Sequence, residues 1–370
     1  MRIAVISLKV NANYGGILQA WALQKTLTQM GHEVVLIDGP GPKDLSLWQA
    51  AFKYPWRAFR KRFMYSTKPI RHERIVAEDF IRHMKNVLPF IDRHIKRRFV
   101  NGIGDIQRGE YDAIVFGSDQ VWRPAYARYF LGRMENMFGY FAKDWPETML
   151  AAYAASFGID NLGEYTQKEK DAIAEVVPKF KGISVREKSG VALCNRLGAE
   201  AVNVIDPTLL FSKRDYLQLI DQADCAVLPH HGIMTYILDT SEDAAVIVNR
   251  ISKLKKLPVF STLPKPGETP EGVEQWLAGF RDADMIVTDS FHACVFSIIF
   301  QKPFVVLSNP ARGTARIDSL LSAFGLECNR IEGIPSSLDG IKTPDANTAE
   351  RLQQLRHTAL GFLKSTIGLA

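Results

Sequence analysis

The chain has 370 residues, of which 46% are hydrophobic and 23% carry a charge. This length fits two domains of ordinary size, and the composition excludes disordered, collagen-like and coiled-coil proteins. No uncharged apolar run approaches the roughly 18–20 residues that a membrane-spanning helix requires, and the apolar run near the N-terminus is too short for a signal-peptide core. We therefore expect a cytoplasmic, water-soluble protein.

The net charge of +6 is unevenly distributed. Between Lys53 and Arg98 there are fourteen Lys and Arg but only four Asp and Glu, and aromatic residues are interleaved with them over residues 45–98. The pattern predicts a basic amphipathic helix, which suits peripheral contact with an anionic membrane on its inner, cytoplasmic face. Alternatively, the aromatic side chains pack onto their own domain. Binding to nucleic acid is disfavoured, because no DNA- or RNA-binding motif accompanies the basic residues.

Short apolar runs alternate with helical stretches along the chain. The first three elements form a β-α-β unit, and continuous apolar strands of this kind are typical of parallel sheets covered on both faces. We predict an α/β fold of two doubly wound, Rossmann-like domains facing a cleft, at residues 1–180 and 181–345, with a helix in 346–370 that packs back on the interface. Strands are predicted at 2–7, 33–37, 113–116, 149–153, 182–185, 201–204, 232–237, 258–261, 285–288 and 304–307.

Two loops of the first domain could bind a ligand. Residues 11–16 lie between the first strand and the first helix, where Gly15 and Gly16 allow a tight turn whose N–H groups can meet an anion or a sugar hydroxyl. The loop lacks dinucleotide-binding or P-loop spacing, so local sequence alone favours a simple turn. Asp119 follows the strand at 113–116 and could accept a hydrogen bond from a sugar, act as a base, or cap the next helix. Local sequence favours the cap.

In the second domain, one histidine stands at the start of an apolar helix. His292 follows Asp289 and Ser290, directly after the strand predicted at 285–288. A histidine at this junction would lie at the cleft, where its side chain could donate and accept a proton near neutral pH. A purely structural role for this histidine is the alternative.

Three arginines occupy comparable positions. Arg186 ends the strand at 182–185, where its planar guanidinium could bind a carboxylate or a phosphate, or pair with Glu187 on the surface. Arg312 and Arg316 lie on a glycine-containing loop after a strand, of the type that binds anions. A solvated basic loop would have the same sequence.

Taken together, these short motifs follow one another in a definite order along the chain. The clearest fragments are Asn-Tyr-Gly-Gly at 13–16, Gly-Ser-Asp-Gln-Val-Trp at 117–122, Ser-Val-Arg-Glu at 184–187, Asp-Pro-Thr at 206–208 and Thr-Asp-Ser-Phe-His at 288–292. In this order they resemble the polysaccharide pyruvyl transferase family over almost the whole chain. One departure is Ala293, where the family motif commonly has glycine; its methyl group would narrow the space beside His292.

The resemblance implies two Rossmann-like domains arranged as in GT-B glycosyltransferases. It implies phosphoenolpyruvate as donor, a hexose of a glycan precursor as acceptor, a pyruvate ketal as product, and neither a cofactor nor a metal. His292 would be the general acid. Expected donor-binding residues are Arg186, Arg312, Arg316 and Ser290, and expected acceptor-binding residues are Asn13, Tyr14, Gly15, Gly16 and Asp119.

Alternatives remain open for the kind of acceptor and for the class of reaction. A precursor linked to polyprenyl diphosphate would give the basic segment a purpose, whereas a nucleotide-linked acceptor would make that segment merely structural. The same fold is also compatible with a nucleotide-sugar glycosyltransferase, or with a non-catalytic glycan-binding protein, because function does not follow from fold.

Overall fold

A computed structural model describes residues 1–64, 69–128, 130–223, 230–239, 241–265, 267–308 and 314–368. Every predicted strand is present, with ends that agree within two residues. Two short strands, β3 and β12, were not predicted from the sequence. The strands are β1 (Arg2–Ile6), β2 (Glu33–Asp38), β3 (Arg97–Phe99), β4 (Ala113–Phe116), β5 (Met149–Ala155), β6 (Gly182–Val185), β7 (Val202–Asn203), β8 (Ile233–Tyr236), β9 (Val259–Ser261), β10 (Met285–Thr288), β11 (Phe304–Leu307) and β12 (Arg330–Ile331).

The strands form two parallel sheets. The first has the order β3-β2-β1-β4-β5-β6-β7, and the second has the order β12-β11-β10-β8-β9. The inner strands β4, β8, β10 and β11 are buried along their whole length, as expected for strands covered on both faces. The predicted α/β class and its two doubly wound sheets are confirmed.

The boundary predicted at residue 180 is wrong as a division between the sheets. β6 pairs with β5, and β7 pairs with β6, so the first sheet extends to Asn203. The second sheet begins only at Ile233. The boundary was wrong because the pairing of strands distant in sequence, and not local sequence, decides which sheet a strand joins.

Helices cover these sheets and connect the strands. The first helix begins at Tyr14, because the Asn13 side chain caps it by accepting from the Gly16 N–H. The helices are α1 (Tyr14–Gln29), α2 (Leu47–Phe63), α3 (His72–Met84), α4 (Leu88–His94), α5 (Pro124–Ala127), α6 (Gln167–Val176), α7 (Lys188–Arg196), α8 (Lys213–Asp221), α9 (Glu242–Lys255), α10 (Val273–Asp282), α11 (Phe291–Phe300), α12 (Ala315–Phe324) and α13 (Ala346–Ile367).

Aromatic contacts join the two halves of the molecule. The Tyr14 ring of α1 stacks on Trp276 of α10 with 5.1 Å between centroids, and its hydroxyl donates to the Glu271 carbonyl oxygen at 2.9 Å. Trp21, also on α1, packs against Phe211 at 4.8 Å. One hydrophobic cluster therefore contains residues from both sheets, and α1 belongs to the core of each half.

The C-terminal helix α13 touches both halves. It packs against α12, and its Arg356 side chain donates to the carbonyl oxygens of Leu209 and Phe211 at 2.6 and 2.5 Å. Near its end, Phe362 approaches Tyr153 of β5. Within the described part of the chain, none of the helices combines the length and the apolar character needed to cross a bilayer.

Candidate active site

A cavity of about 210 Å³ lies where the two halves meet. Residues from both halves line it at the carboxyl ends of strands, the edge at which α/β proteins bind ligands. The lining residues are Leu8, Asn11, Asn13, Asp119, Gln120, Tyr126, Leu238, Asp289, Ser290, Phe291, His292, Leu307, Thr314, Arg316, Ile317 and Arg330.

The turn between β10 and α11 positions the histidine. Asp289 accepts hydrogen bonds from the backbone N–H groups of Leu238 and Asp239 at 2.7 and 3.1 Å, which ties this turn to the end of β8. The Ser290 N–H donates to Thr288 Oγ1 at 2.9 Å. His292 consequently lies in the first turn of α11, a helix that is buried along its whole length.

The His292 ring fits against a glycine of the opposite half. A Cβ atom added to Gly15 would lie 2.1 Å from His292 Nδ1, so only glycine allows this approach of α1 to α11. On its other side, Nε2 lies 3.7 Å from Asp206 Oδ2. The ring is thus held between a backbone surface and a carboxylate.

Beside the histidine lies a buried ion-pair cluster. Arg186 places Nη1 2.6 Å from Asp206 Oδ2 and Nη2 3.2 Å from Asp119 Oδ1. Asp206 also accepts hydrogen bonds from the N–H and hydroxyl of Thr208 at 3.0 and 2.6 Å, and from the Ser118 hydroxyl at 3.1 Å. The side chains of Arg186 and Asp206 are 1% and 0% exposed, so this ion pair is closed to solvent.

The cations of the site keep both carboxyl groups ionised. Burial raises the pKa of Asp119 and of Asp206, but hydrogen bonds and the positive charges around them outweigh burial, and both pKa values fall below the ordinary value. Burial lowers the pKa of Arg186, but the negative charges of Asp206 and Asp119 outweigh burial and raise this pKa above its ordinary value. The three groups are therefore charged at neutral pH.

A second arginine lies at the cavity wall. Burial, together with the nearby Arg186 charge, lowers the pKa of Arg316 to about 10, so it remains protonated at neutral pH. Its Nη1 lies 3.8 Å from Asp119 Oδ1, and both guanidinium groups lie within 6 Å of the Phe291 ring centre, at 5.8 Å for Arg316 and 4.4 Å for Arg186. Asp119 therefore lies between the two guanidinium groups, and its charge offsets part of their mutual repulsion.

Asp119 has a backbone conformation rare outside glycine. Its φ of 71° is left-handed, and its carbonyl oxygen accepts from the N–H groups of Ser156 and Val121 at 3.0 and 2.7 Å. The helix cap favoured by local sequence is wrong, because the helix that follows, α5, is preceded by Arg123 and has no side-chain cap. The Asp119 carboxylate turns instead toward the cavity and Arg186.

Glu187 is part of the same structure but not a partner of Arg186. Its Oε1 accepts from the N–H groups of Phe157 and Gly158 at 2.7 and 3.1 Å and from the Ser156 hydroxyl at 3.1 Å. The alternative of a surface pair between Arg186 and Glu187 is therefore wrong. Glu187 fixes the loop after β5 instead.

Only some of the site residues predicted from the sequence line the cavity. Asn13, Asp119, Ser290, His292 and Arg316 line the cavity, whereas Arg312 lies outside the described residues.

The other predicted site residues do not line the cavity. Tyr14 packs against Trp276, Gly15 touches the histidine, Gly16 lies in the first turn of α1, and Arg186 is buried behind the cavity wall.

Sequence reasoning did not assign a role to Asp206. The sequence did contain a signal for this residue, because Asp206-Pro-Thr follows a predicted strand and is one of the ordered fragments described above. Its meaning depends on Arg186, Ser118 and His292, which contact it from three other segments. Among the described residues, no group of three or more His, Cys, Asp or Glu side chains is arranged to hold a metal ion.

The two sheets and the cavity between them define a GT-B fold, which the comparisons with solved structures also give. A UDP-GlcNAc 2-epimerase of Methanocaldococcus jannaschii aligns over 98% of this chain and 100% of that chain with a TM-score of 0.50 and 10% identity. A Listeria monocytogenes protein described as a UDP-N-acetylglucosamine 2-epimerase aligns over 99% and 96% with a TM-score of 0.51 and 9% identity. At such identities the likeness concerns the fold alone.

The family is given by the sequence profile. The profile of the polysaccharide pyruvyl transferase family matches residues 13–310, which include both sheets' central strands and the cavity-lining His292. The chain belongs to the polysaccharide pyruvyl transferase family, a family of transferases in polysaccharide biosynthesis. No curated protein sequence matches the chain.

Removing the central cation tests the ion-pair cluster. Arg186→Met should lower the free energy of unfolding by about 3–5 kcal/mol at pH 7, because two carboxylates would stay buried without their cation. Since the folded-state pKa values of Asp119 and Asp206 are lowered, the stability they contribute is present above about pH 4 and lost below it. The loss caused by Arg186→Met should therefore shrink as the pH falls below about 4, as measured by urea unfolding.

Arg2→Met is the matched control. Arg2 and Asp112 form an ion pair at 2.8 Å whose side chains are 52% and 41% exposed, and such pairs contribute little to stability. Unfolding of this variant should be close to that of the wild type. Equal losses in the two variants, or a loss for Arg186→Met that grows with acid, would contradict the ion-pair account.

Proposed function

We propose that the protein transfers the pyruvyl group of phosphoenolpyruvate to two hydroxyl groups of a hexose in a glycan precursor. The product is a pyruvate ketal, and the reaction belongs to exopolysaccharide, capsule or cell-wall glycan synthesis. One observation carries the proposal: a single cavity contains the imidazole of His292, the buried guanidinium of Arg316 and the carboxylate of Asp119. Membership in the pyruvyl transferase family supports the class of reaction.

The size of the cavity favours a small donor. Its volume of about 210 Å³ lies below the roughly 300–1,000 Å³ typical of sites for drug-sized ligands. Phosphoenolpyruvate is compact, and the sugar acceptor would approach from the mouth of the cavity. Asn13, on the first half, would donate hydrogen bonds to its hydroxyl groups or accept them, and the Asp119 carboxylate would accept hydrogen bonds from those hydroxyl groups.

The charges around the cavity suit a donor with a phosphate and a carboxylate. Arg316 supplies a guanidinium, and the N-termini of α1 and α11 meet at this point, where Asn13 and Ser290 line the wall. Helix N-termini favour anions because their first N–H groups are unpaired within the helix. Arg330 also lines the cavity, although it is paired with Asp318 at 2.5 Å.

The role expected for Arg186 changes in this proposal. Its two Nη atoms are engaged by Asp119 and Asp206, and it does not line the cavity. Direct donor binding is therefore assigned to Arg316 and Ser290. Arg186 acts as a positioning residue that holds the two carboxylates in place.

The reaction needs a proton at the methylene carbon of the donor. His292 delivers it, so that C2 becomes cationic and is attacked by one hydroxyl of the sugar. The second hydroxyl then attacks C2 as the bond to phosphate breaks. Of the two hydroxyl protons, one returns to His292 and the other leaves with inorganic phosphate, which restores the enzyme.

Asp206 assists without touching the substrate. Its negative charge lies 3.7 Å from His292 Nε2 and would stabilise positive charge on the ring. Because Asp206 is held by Arg186 and by Thr208, its orientation is fixed before the substrate binds. This is the arrangement of a general acid supported by a second group.

His292→Asn tests the assignment of the acid. The substitution keeps a polar side chain of similar size but removes the transferable proton, so transfer should slow at least about 100-fold while the melting temperature changes little. The assay supplies phosphoenolpyruvate with p-nitrophenyl glycosides of common hexoses and N-acetylhexosamines. Phosphate release and the mass of the ketal product are both recorded. A variant with the wild-type rate would refute the role of His292.

Gly15→Ala and Gly16→Ala form a matched pair that tests the position of the ring. A Cβ at Gly15 would meet His292 Nδ1 at 2.1 Å, whereas at Gly16 the nearest atom lies at 3.6 Å. Gly15→Ala should therefore reduce transfer at least about tenfold, because small displacements of a reacting group are costly. Gly16→Ala should stay close to wild type in the same assay. Equal activity in both variants would show that the contact between α1 and His292 is irrelevant to catalysis.

A further inference from the structure

Helix α2 has no buried residue. Its N-terminus is fixed by a capping box in which Ser46 and Gln49 satisfy each other's backbone N–H groups. Large apolar side chains nonetheless stand in solvent along it, with Trp48, Phe52 and Phe63 exposed by 80%, 75% and 64%. The alternative in which these aromatic residues pack onto their own domain is therefore wrong.

Five exposed aromatic residues of α2 share one face. They recur at intervals of three and four, and with 3.6 residues per turn they cover less than a quarter of the helix circumference. Neighbouring rings on this face touch, with centroid distances of 5.8 Å between Trp56 and Phe59 and 4.8 Å between Phe59 and Phe63. The apolar face consists of Trp48, Phe52, Trp56, Phe59 and Phe63.

Cations surround this face. The helix holds five basic residues and no acidic one, and all five lie outside the apolar face on the helical wheel. Arg57 pairs with Glu73 of α3 at 2.5 Å, which ties α2 to the body of the protein. The other four basic residues, Lys53, Arg60, Lys61 and Arg62, are exposed.

An apolar face surrounded by exposed cations favours one kind of binding partner over the others. A second copy of the chain would bring two sets of like charges together around the aromatic faces, which is unfavourable. A nucleic acid would use the cations but leave the apolar face without a partner. An anionic bilayer satisfies both, because apolar rings enter the acyl boundary while Lys and Arg lie among the lipid phosphates.

We propose that α2 is an interfacial helix that docks the protein on an anionic lipid surface. The chain enters α2 from the carboxyl end of β2, the edge of the first sheet at which β1 and β4 lead to Asn13 and Asp119. Docking through α2 therefore brings lipid to the side of the molecule that carries the cavity. The proposal stands on α2 alone and does not depend on the reaction.

Vesicle sedimentation tests the proposal. The full-length protein should sediment with phosphatidylcholine vesicles containing about one-third phosphatidylglycerol at low salt, and bind pure phosphatidylcholine at least about tenfold more weakly. The fluorescence of Trp48 and Trp56 should shift to shorter wavelength on the mixed vesicles, since both rings leave water. Trp48→Ser/Phe52→Ser should reduce the bound fraction at least about tenfold with an unchanged melting temperature, because both side chains are exposed.

Charge reversal supplies a matched pair of variants. Lys61→Glu/Arg62→Glu on α2 should abolish binding at low salt, whereas Lys253→Glu/Lys255→Glu on α9 changes the net charge equally and should retain it. Equal losses in the two double variants would overturn the proposal, as would equal binding to neutral vesicles. Self-association that Phe52→Ser disperses, with no binding to vesicles, would overturn it in favour of a second copy.

Discussion

Three charges withdrawn from water constrain the site: the Arg186 guanidinium and the carboxylates of Asp119 and Asp206. Such charges are stable only together, since an isolated one would cost several kcal/mol of desolvation. The cluster therefore fixes, at one point, the loop after β4, the end of β6 and the turn at Asp206. Asp206 Oδ2 also lies 3.7 Å from His292 Nε2. The ion pairs that stabilise the first half of the molecule therefore also set the electrostatic field at a histidine of the second half.

The second constraint is the close approach of two helix N-termini. α1 and α11 start at the carboxyl edges of different sheets, and the missing side chain of Gly15 lets them meet at His292. The neighbouring stack of Tyr14 on Trp276 holds this contact in the shared core. The His292 imidazole, the N-terminus of α11 and the Arg316 guanidinium thus converge at one cavity.

Local patterns predicted what depends on local interactions. Apolar runs located the strands, and the junction of a strand with an apolar helix placed His292 at the cavity, because burial and periodicity are properties of short segments. The sheet to which β6 belongs, the burial of Tyr14 and the neutralisation of Arg186 were missed. Each depends on a partner far along the chain, such as Asp119 for Arg186 or Trp276 for Tyr14, which periodicity does not identify.

The proposed reaction requires the cavity to bind phosphoenolpyruvate. Thermal unfolding of the wild type with millimolar phosphoenolpyruvate, beside UDP, CMP and GDP, tests it most directly, because a ligand that binds the native state raises the melting temperature. We expect stabilisation by phosphoenolpyruvate alone, and we expect it to be lost in Arg316→Ala, which removes a guanidinium from the cavity wall. Stabilisation by a nucleotide and not by phosphoenolpyruvate would contradict the account and favour glycosyl transfer.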